Sequence, residues 1–251
     1  MDEALLRKIF SAHSKTPLET LYLESGNVPI RFLLKARRLN FLWYILNEDE
    51  GSLIRSFFDA QRENPSERDW IQTIKQDLNN LEIILSMEEI SKISKLEFKE
   101  LVKKAVRELA FKYLLQLRDS HRKAEDLVYE NLNLQNYLLA GSRTQMTIHE
   151  RQFLFALRTR MVDVKANFKI GQRDIRCRAC SQAEESQEHI LQCPELQEKE
   201  IVTGLIDYKD LFKNNTEKLA HIGRIVGRKL KLLKEKVTMT NVNPRNGSSV
   251  T

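Results

Sequence analysis

The chain is predicted to be mainly α-helical: a helical bundle, then a small cysteine- and histidine-bearing module, then a C-terminal amphipathic helix. Three observations predict it. Only 8 glycines and 5 prolines interrupt 251 residues rich in Leu, Lys, Glu, Ile and Arg, a composition that favours helices over tightly turned sheets. Apolar residues recur at three- and four-residue intervals along most of the length, the period of one helical face. All 3 cysteines fall between Cys177 and Cys193, which sets that stretch apart.

The elements follow in order. Ala4 to Phe10 is a short apolar-periodic segment, and Thr16 stands where a cap would start the helix PLETLYLESG, stopped at Gly26. Pro29 opens the most hydrophobic helix, IRFLLKARRLNFLWYILN, whose Lys35, Arg37 and Arg38 either face solvent or meet nucleic acid. Gly51 to Arg62 is helical and breaks at Asn64 and Pro65, after which Ser66 and Asp69 form a capping arrangement ahead of Trp70, Ile71, Ile74 and Leu78. Ser86 with Glu89 and Ser94 with Glu97 are capping boxes, the second opening a long helix from Lys95 to Arg118 with a continuous packing stripe. From Asp119 to Gln135 the periodicity fades into a charged connection. Thr147 with Glu150 opens IHERQFLFALRTRMVDV, in which Phe153, Leu154, Leu157, Met161 and Val164 form one stripe and Arg151, Arg158 and Lys165, seven apart, form a flank. Glu217 to about Lys236 is the last amphipathic helix, and the tail from Thr238 lacks periodicity and is expected to be disordered. The expected organisation is therefore a helical domain at 1–118, a linker at 119–145, the arginine-bearing helix with the cysteine module at 146–212, a basic helix at 213–237 and a tail at 238–251.

Cys177, Cys180, His189 and Cys193 supply three thiolates and an imidazole, separated by two, eight and three residues. These are ligands that zinc prefers, and four of them close a tetrahedral shell with no position for water, so the site is predicted to hold one structural Zn2+. The first pair chelates from one tight turn, while His189 and Cys193, four apart, share a helix face. Glu184, Glu185 and Glu188 suit a helix N-terminus there, and Pro194 ends the helix. A Cys177–Cys180 disulfide is the competing chemistry; it would strand Cys193 and lacks the strand-helix setting of a redox CxxC. The module completes the fold prediction as a CCHC zinc knuckle.

Net charge is +6, and from Gly141 to Cys180 nine bases face three acids, while RIVGRKLKLLKEK near the C-terminus is a second basic run. Such polarity is expected of a surface that meets phosphates. Arg143, Arg151, Arg158, Lys165, Arg173, Arg176 and Arg178 are the candidate contacts to RNA or DNA. No glycine-rich phosphate loop, GxSxG elbow, HExxH or convincing set of metal-holding carboxylates occurs, so the chain is not expected to be an enzyme. No apolar run spans a membrane and the N-terminus is too charged for a secretory signal, which with metal-bound thiols points to the nucleus and/or cytoplasm.

The order of PIRFLLKARRLNFLWYIL, a helical stretch, then HERQFLFALRTRMVDVKANF leading into CRAC and EHILQC, with DYKDLF beyond, resembles the C-terminal region of non-LTR (LINE-type) retrotransposon reverse transcriptases from about Leu18 to Phe212. The resemblance implies thumb-adjacent and linker helices plus a knuckle that holds RNA or target DNA, with Cys177, Cys180, His189 and Cys193 as its zinc ligands. The family's aromatic-Ala-Asp-Asp polymerase signature, its fingers motifs and its endonuclease domain are missing, so the chain is expected to begin downstream of the palm. The alternative is a zinc-stapled helical scaffold, domesticated or truncated, whose partner is a protein.

Overall fold

The computed structural model describes residues 3–64, 66, 69–120, 127–138, 146–168, 174–196, 211 and 216–242. Among them are ten α-helices: α1 Glu3–Phe10, α2 Leu18–Ser25, α3 Ile30–Leu46, α4 Leu53–Glu63, α5 Trp70–Asn80, α6 Met87–Lys92, α7 Lys95–Asp119, α8 Ile148–Arg158, α9 Gln187–Gln192 and α10 Thr216–Val242. The described residues form no strand, only an isolated antiparallel bridge between Arg176 and Glu184. The fold class is mainly α, and none of these helices is long and apolar enough to cross a membrane.

Helix starts follow their capping residues. Ser86, Ser94 and Thr147 each accept a bond from the backbone three residues on, and the carboxylates of Glu89, Glu97 and Glu150 accept in turn from the cap's own N–H, closing three reciprocal boxes. Ser52 caps α4 through Arg55 N–H. Thr16 does not cap α2: its hydroxyl is buried without a hydrogen-bond partner, and the helix begins at Leu18, just past Pro17.

Three helix ends use a device that composition hides. After α1, α5 and α8, the residues Ser11, Glu82 and Arg160 take positive φ angles of 50°, 57° and 53°. The next N–H in each case reaches back five residues: Ala12 to Arg7 O, Ile83 to Leu78 O and Met161 to Ala156 O. This is the Schellman closure that glycine usually provides, made here by residues that pay about 1 kcal/mol for the left-handed region. Glu82 is 79% exposed and its ion pair with Lys112 is a surface one. Glu82→Gly is therefore expected to raise unfolding stability by roughly 0.5–1 kcal/mol, read as a higher urea midpoint at unchanged slope.

The chain divides into two compact units, and the division differs from the expected one at 118. The first comprises 1–2, 22–120 and 129–133. Its core is α3 laid against α7, with α4, α5 and α6 around it; Leu39 and Leu42 of α3 and Phe98, Val102, Val106, Ala110 and Leu114 of α7 are buried. Lys35 and Arg38 of α3 close on buried Asp77 of α5 at 2.6 Å each, so two of that helix's three expected surface cations are committed internally. The expected linker contributes as well: Tyr129 and Leu132 are buried, and Tyr129 hydroxyl donates to Glu24 at 2.6 Å. Residues 121–126 and 139–145 of that linker lie outside the described ones.

The second unit comprises 3–21, 121–128 and 134–251, so α1 groups with the cysteine-bearing region and not with the helices that follow it in sequence. Phe10 of α1 stacks on Phe155 of α8, centroids 4.5 Å apart. Helix α10 packs along α8, and two glycines admit the approach: a Cβ at Gly223 would lie 3.4 Å from Glu150 O, and one at Gly227 would lie 3.2 Å from the Phe153 ring. Helix α8 stops at Arg158, six residues short of the expected Val164, and Thr159 hydroxyl turns back to Phe155 O at 2.9 Å. Helix α10 continues to Val242, so Thr238 to Val242, expected in the disordered tail, are helical; 243–251 lie outside the described residues.

Candidate metal centre

The segment from Asp174 to Leu196 builds the site by short-range bonds. Cys177 N–H donates to Ala183 O at 2.7 Å and Glu185 N–H to Ile175 O at 2.8 Å, folding the chain back on itself around the Arg176–Glu184 bridge. Inside that loop Ser181 N–H donates to Cys177 O at 2.8 Å, and Ser181 adopts a φ of 56°, tightening the turn that carries Cys177 and Cys180. Ser186 then caps α9 through His189 N–H at 3.1 Å. Helix α9 carries His189, and Cys193 sits at its C-cap ahead of the 3-10 turn Pro194–Leu196. The sequence places turn, loop, short helix and proline stop as the structure has them.

The four side chains converge. Their ligand atoms all lie within 4.8 Å of one another and could hold one metal ion. Cys177 and Cys193 sulfurs are 4.0 Å apart and buried; Cys180 Sγ lies 3.3 Å from His189 Nε2 at the more open side. Backbone N–H groups of Ala179 and Gln182 point at Cys177 and Cys180 sulfurs at 3.4 and 3.5 Å. The Gln182 amide leads the effects that draw the Cys180 thiol down to about 6, whereas burial, with the charge of Cys177 adding to it, pushes Cys193 up to about 12. Three thiols this close, two of them buried, do not all ionise alone; a divalent cation among them removes the conflict.

A carboxylate clamps the module. Glu185 side chain has no exposed surface and accepts from Lys165 N–H at 3.0 Å, from Arg178 N–H at 2.7 Å and from the Arg178 guanidinium at 2.7–2.9 Å. Burial alone would raise its carboxyl, but the Arg178 bonds outweigh it and hold it below the ordinary range. Glu185 was expected to serve a helix N-terminus; it instead ties the residues after α8 to the metal loop. From the other side, buried Lys229 of α10 donates its ammonium to Leu191 O, burial lowering its pKa, and Lys236 pairs with Glu195 at 2.8 Å. A lysine amid Ile225, Val226, Leu230 and Leu233 on an apolar helix face is the sequence signal that marks Lys229.

The predicted phosphate contacts are not gathered on one free flank. Arg158 is 3% exposed, gives its guanidinium to Leu211 O and covers the Tyr137 ring at 5.3 Å, so it is an interior side chain and leaves the set. Its spacing from Lys165 is broken by the end of α8 between them. Arg151 donates to Met146 O at 2.9 Å, Lys165 to Arg176 O at 3.0 Å, Arg176 pairs with Asp174 at 3.0 Å, and Arg178 belongs to Glu185. Arg143 and Arg173 lie outside the described residues. Among the described residues of this unit, five exposed cations lie together on the outer side of α10: Lys218, Arg224, Arg228, Lys231 and Lys234. Comparison of the chain with protein-family models, with curated proteins and with solved structures finds no match in any of the three.

Proposed function

We propose that the chain is a nucleic-acid-binding module stapled by one structural zinc ion, and that its cationic surface is the outer face of α10. The four-ligand cluster is the observation that carries this reading. Zinc bonds of about 2.3 Å to sulfur and about 2.0–2.1 Å to nitrogen put tetrahedral vertices about 3.8 Å apart for two sulfurs and about 3.6 Å for sulfur and nitrogen. The separations of 4.0 Å for Cys177–Cys193 and 3.3 Å for Cys180–His189 bracket those values. When bound, zinc supplies a crosslink and no open coordination position, so the proposed role is structural. The chain's own residues do the remainder: Glu185 and Arg178 fix the loop, Lys229 fixes α9 to α10, and α10 presents Arg224, Arg228, Lys231 and Lys234 outward. The resemblance to the C-terminal region of LINE-type reverse transcriptases supports RNA or DNA as the partner.

The test is fluorescence anisotropy of labelled RNA and DNA with zinc-loaded chain across a salt series, repeated with Cys180→Ser. Binding is expected to weaken steeply with salt and to fall at least ten-fold in the variant. No binding at low salt by the zinc-loaded chain would overturn the reading.

One observation favours the second reading, a protein-interaction scaffold. Ile30, Leu34, Phe41 and Tyr44 of α3 are exposed at 43–54%, and Phe41 stacks on Tyr44 with centroids 6.0 Å apart. An apolar row of this kind on a basic helix suits a partner chain. Sedimentation of a monodisperse monomer at every concentration, with no partner captured through Phe41, counts against it.

A further inference from the structure

Beside the metal centre, within the second unit, a groove of about 300 Å³ opens between α8, α10 and the residues after α8. That is the small end of the range for ligand clefts, enough for one planar ring system. Its floor is apolar: Phe153, Met161, Val162, Leu230 and Leu233. Met161, Val162, Leu230 and Leu233 are buried, whereas Phe153 is only half-buried and turns part of its ring to the opening. Gly227 of α10 lies close against one edge of that ring, where a Cβ would come within 3.2 Å of it, and so fixes the ring's position beside the opening.

The rim is polar and carries both hydrogen-bonding senses. Gln152, His149 and Asp163 stand around the opening, and Lys234 closes it on the α10 side. From Lys234 the cations continue along the outer face of α10 through Lys231, Arg228 and Arg224, all exposed. At 1.5 Å rise per residue this row runs about 15 Å, so anionic charge beginning at the groove meets cations for some three turns of helix. A ligand matching all of this has a flat apolar face, a donor-acceptor edge and a chain of anions attached to it.

We propose that this groove receives one unpaired base of a single-stranded nucleic acid, stacked on Phe153, with the flanking phosphates following Lys234, Lys231, Arg228 and Arg224. The inference rests on the nucleic-acid reading above and adds to it a strand preference and a place. A duplex keeps its bases stacked inside and offers the groove only phosphates, so the α10 row holds single strand and duplex alike while the groove distinguishes them.

The experiment uses the full zinc-loaded chain with labelled oligouridine, oligothymidine and a matched duplex. Phe153→Leu, which keeps an apolar side chain and removes the ring, is expected to weaken single-strand binding about ten-fold and to leave duplex binding within two-fold. Phe153→Tyr, which restores the ring, is expected to bind single strands as the parent does, and this rescue separates stacking from misfolding. Lys231→Gln with Lys234→Gln is expected to weaken both substrates and to flatten the salt dependence. Equal losses on both substrates in Phe153→Leu, or no loss on either, overturn the base pocket while the charge variants leave the nucleic-acid reading standing. Absence of any binding by the parent chain at low salt overturns both. An acidic polyglutamate peptide competing as well as oligouridine overturns the base pocket in favour of a polyanion surface.

Discussion

Cys193→Ser is expected to unfold the metal loop and to loosen α10 from α9, the largest effect of any single substitution in the chain. Cys193 has no exposed surface, and its sulfur faces that of Cys177 at 4.0 Å. Structural zinc contributes on the order of 10–16 kcal/mol in small modules, more than the total stability of many domains, so losing one of four ligands outweighs every local hydrogen bond in the loop. Hydrogen exchange is the direct readout: protection from Asp174 to Leu196 should disappear, while α3 and α7, whose core lies in the other unit, should keep theirs. Chelation of the parent chain should reproduce the pattern. Because burial pushes the Cys193 thiol up to about 12 in the metal-free state, zinc uptake at neutral pH should release protons to the buffer and zinc affinity should rise with pH. Full protection retained in the serine variant would remove zinc from the account of this fold.

Glu185→Gln is expected to cost roughly 2–4 kcal/mol and to weaken zinc binding by about 10- to 100-fold, although Glu185 is not a ligand. The amide keeps the shape but offers one acceptor oxygen where the carboxylate meets two backbone N–H groups and a guanidinium, and its own N–H points at a donor. Arg178, 27% exposed at its side chain, would be left without its counter-charge. Glu185 has a lowered pKa in the fold, so its contribution is complete above the ordinary carboxylate value and is lost as pH falls through the lower folded value. The difference in urea midpoint between parent and Glu185→Gln should therefore be large and constant from neutral pH down to about 5 and shrink below about 4. A difference that does not change with pH would show that the carboxylate charge is not what holds the loop.

What was legible in the sequence is what short-range chemistry encodes. The boxes at Ser86, Ser94 and Thr147 were readable because cap and return partner are three residues apart, and the ligand cluster was readable because turn, helix and proline fix its spacing locally. The end of α8 was not, since Arg160 performs a glycine's task with no glycine to announce it. A helix running on to Val164 would align Arg151, Arg158 and Lys165 on one flank, whereas the shorter helix buries Arg158 and places Lys165 beyond its end. The grouping of α1 with α8 rests on Phe10 meeting Phe155, a pairing far apart in the chain that no local pattern contains. A glutamate just ahead of a short helix looks like a helix-dipole partner, and only the folded loop brings Arg178 and Lys165 to it.

The zinc ion is tested by the metal content of the purified chain, measured by mass spectrometry, with cobalt exchanged into the same site. One zinc per chain, and a cobalt derivative with the intense absorption of a tetrahedral thiolate-rich site that is lost in Cys180→Ser, is the predicted result. A chain that folds fully with no metal bound, or cobalt spectra indifferent to Cys180→Ser, would contradict it.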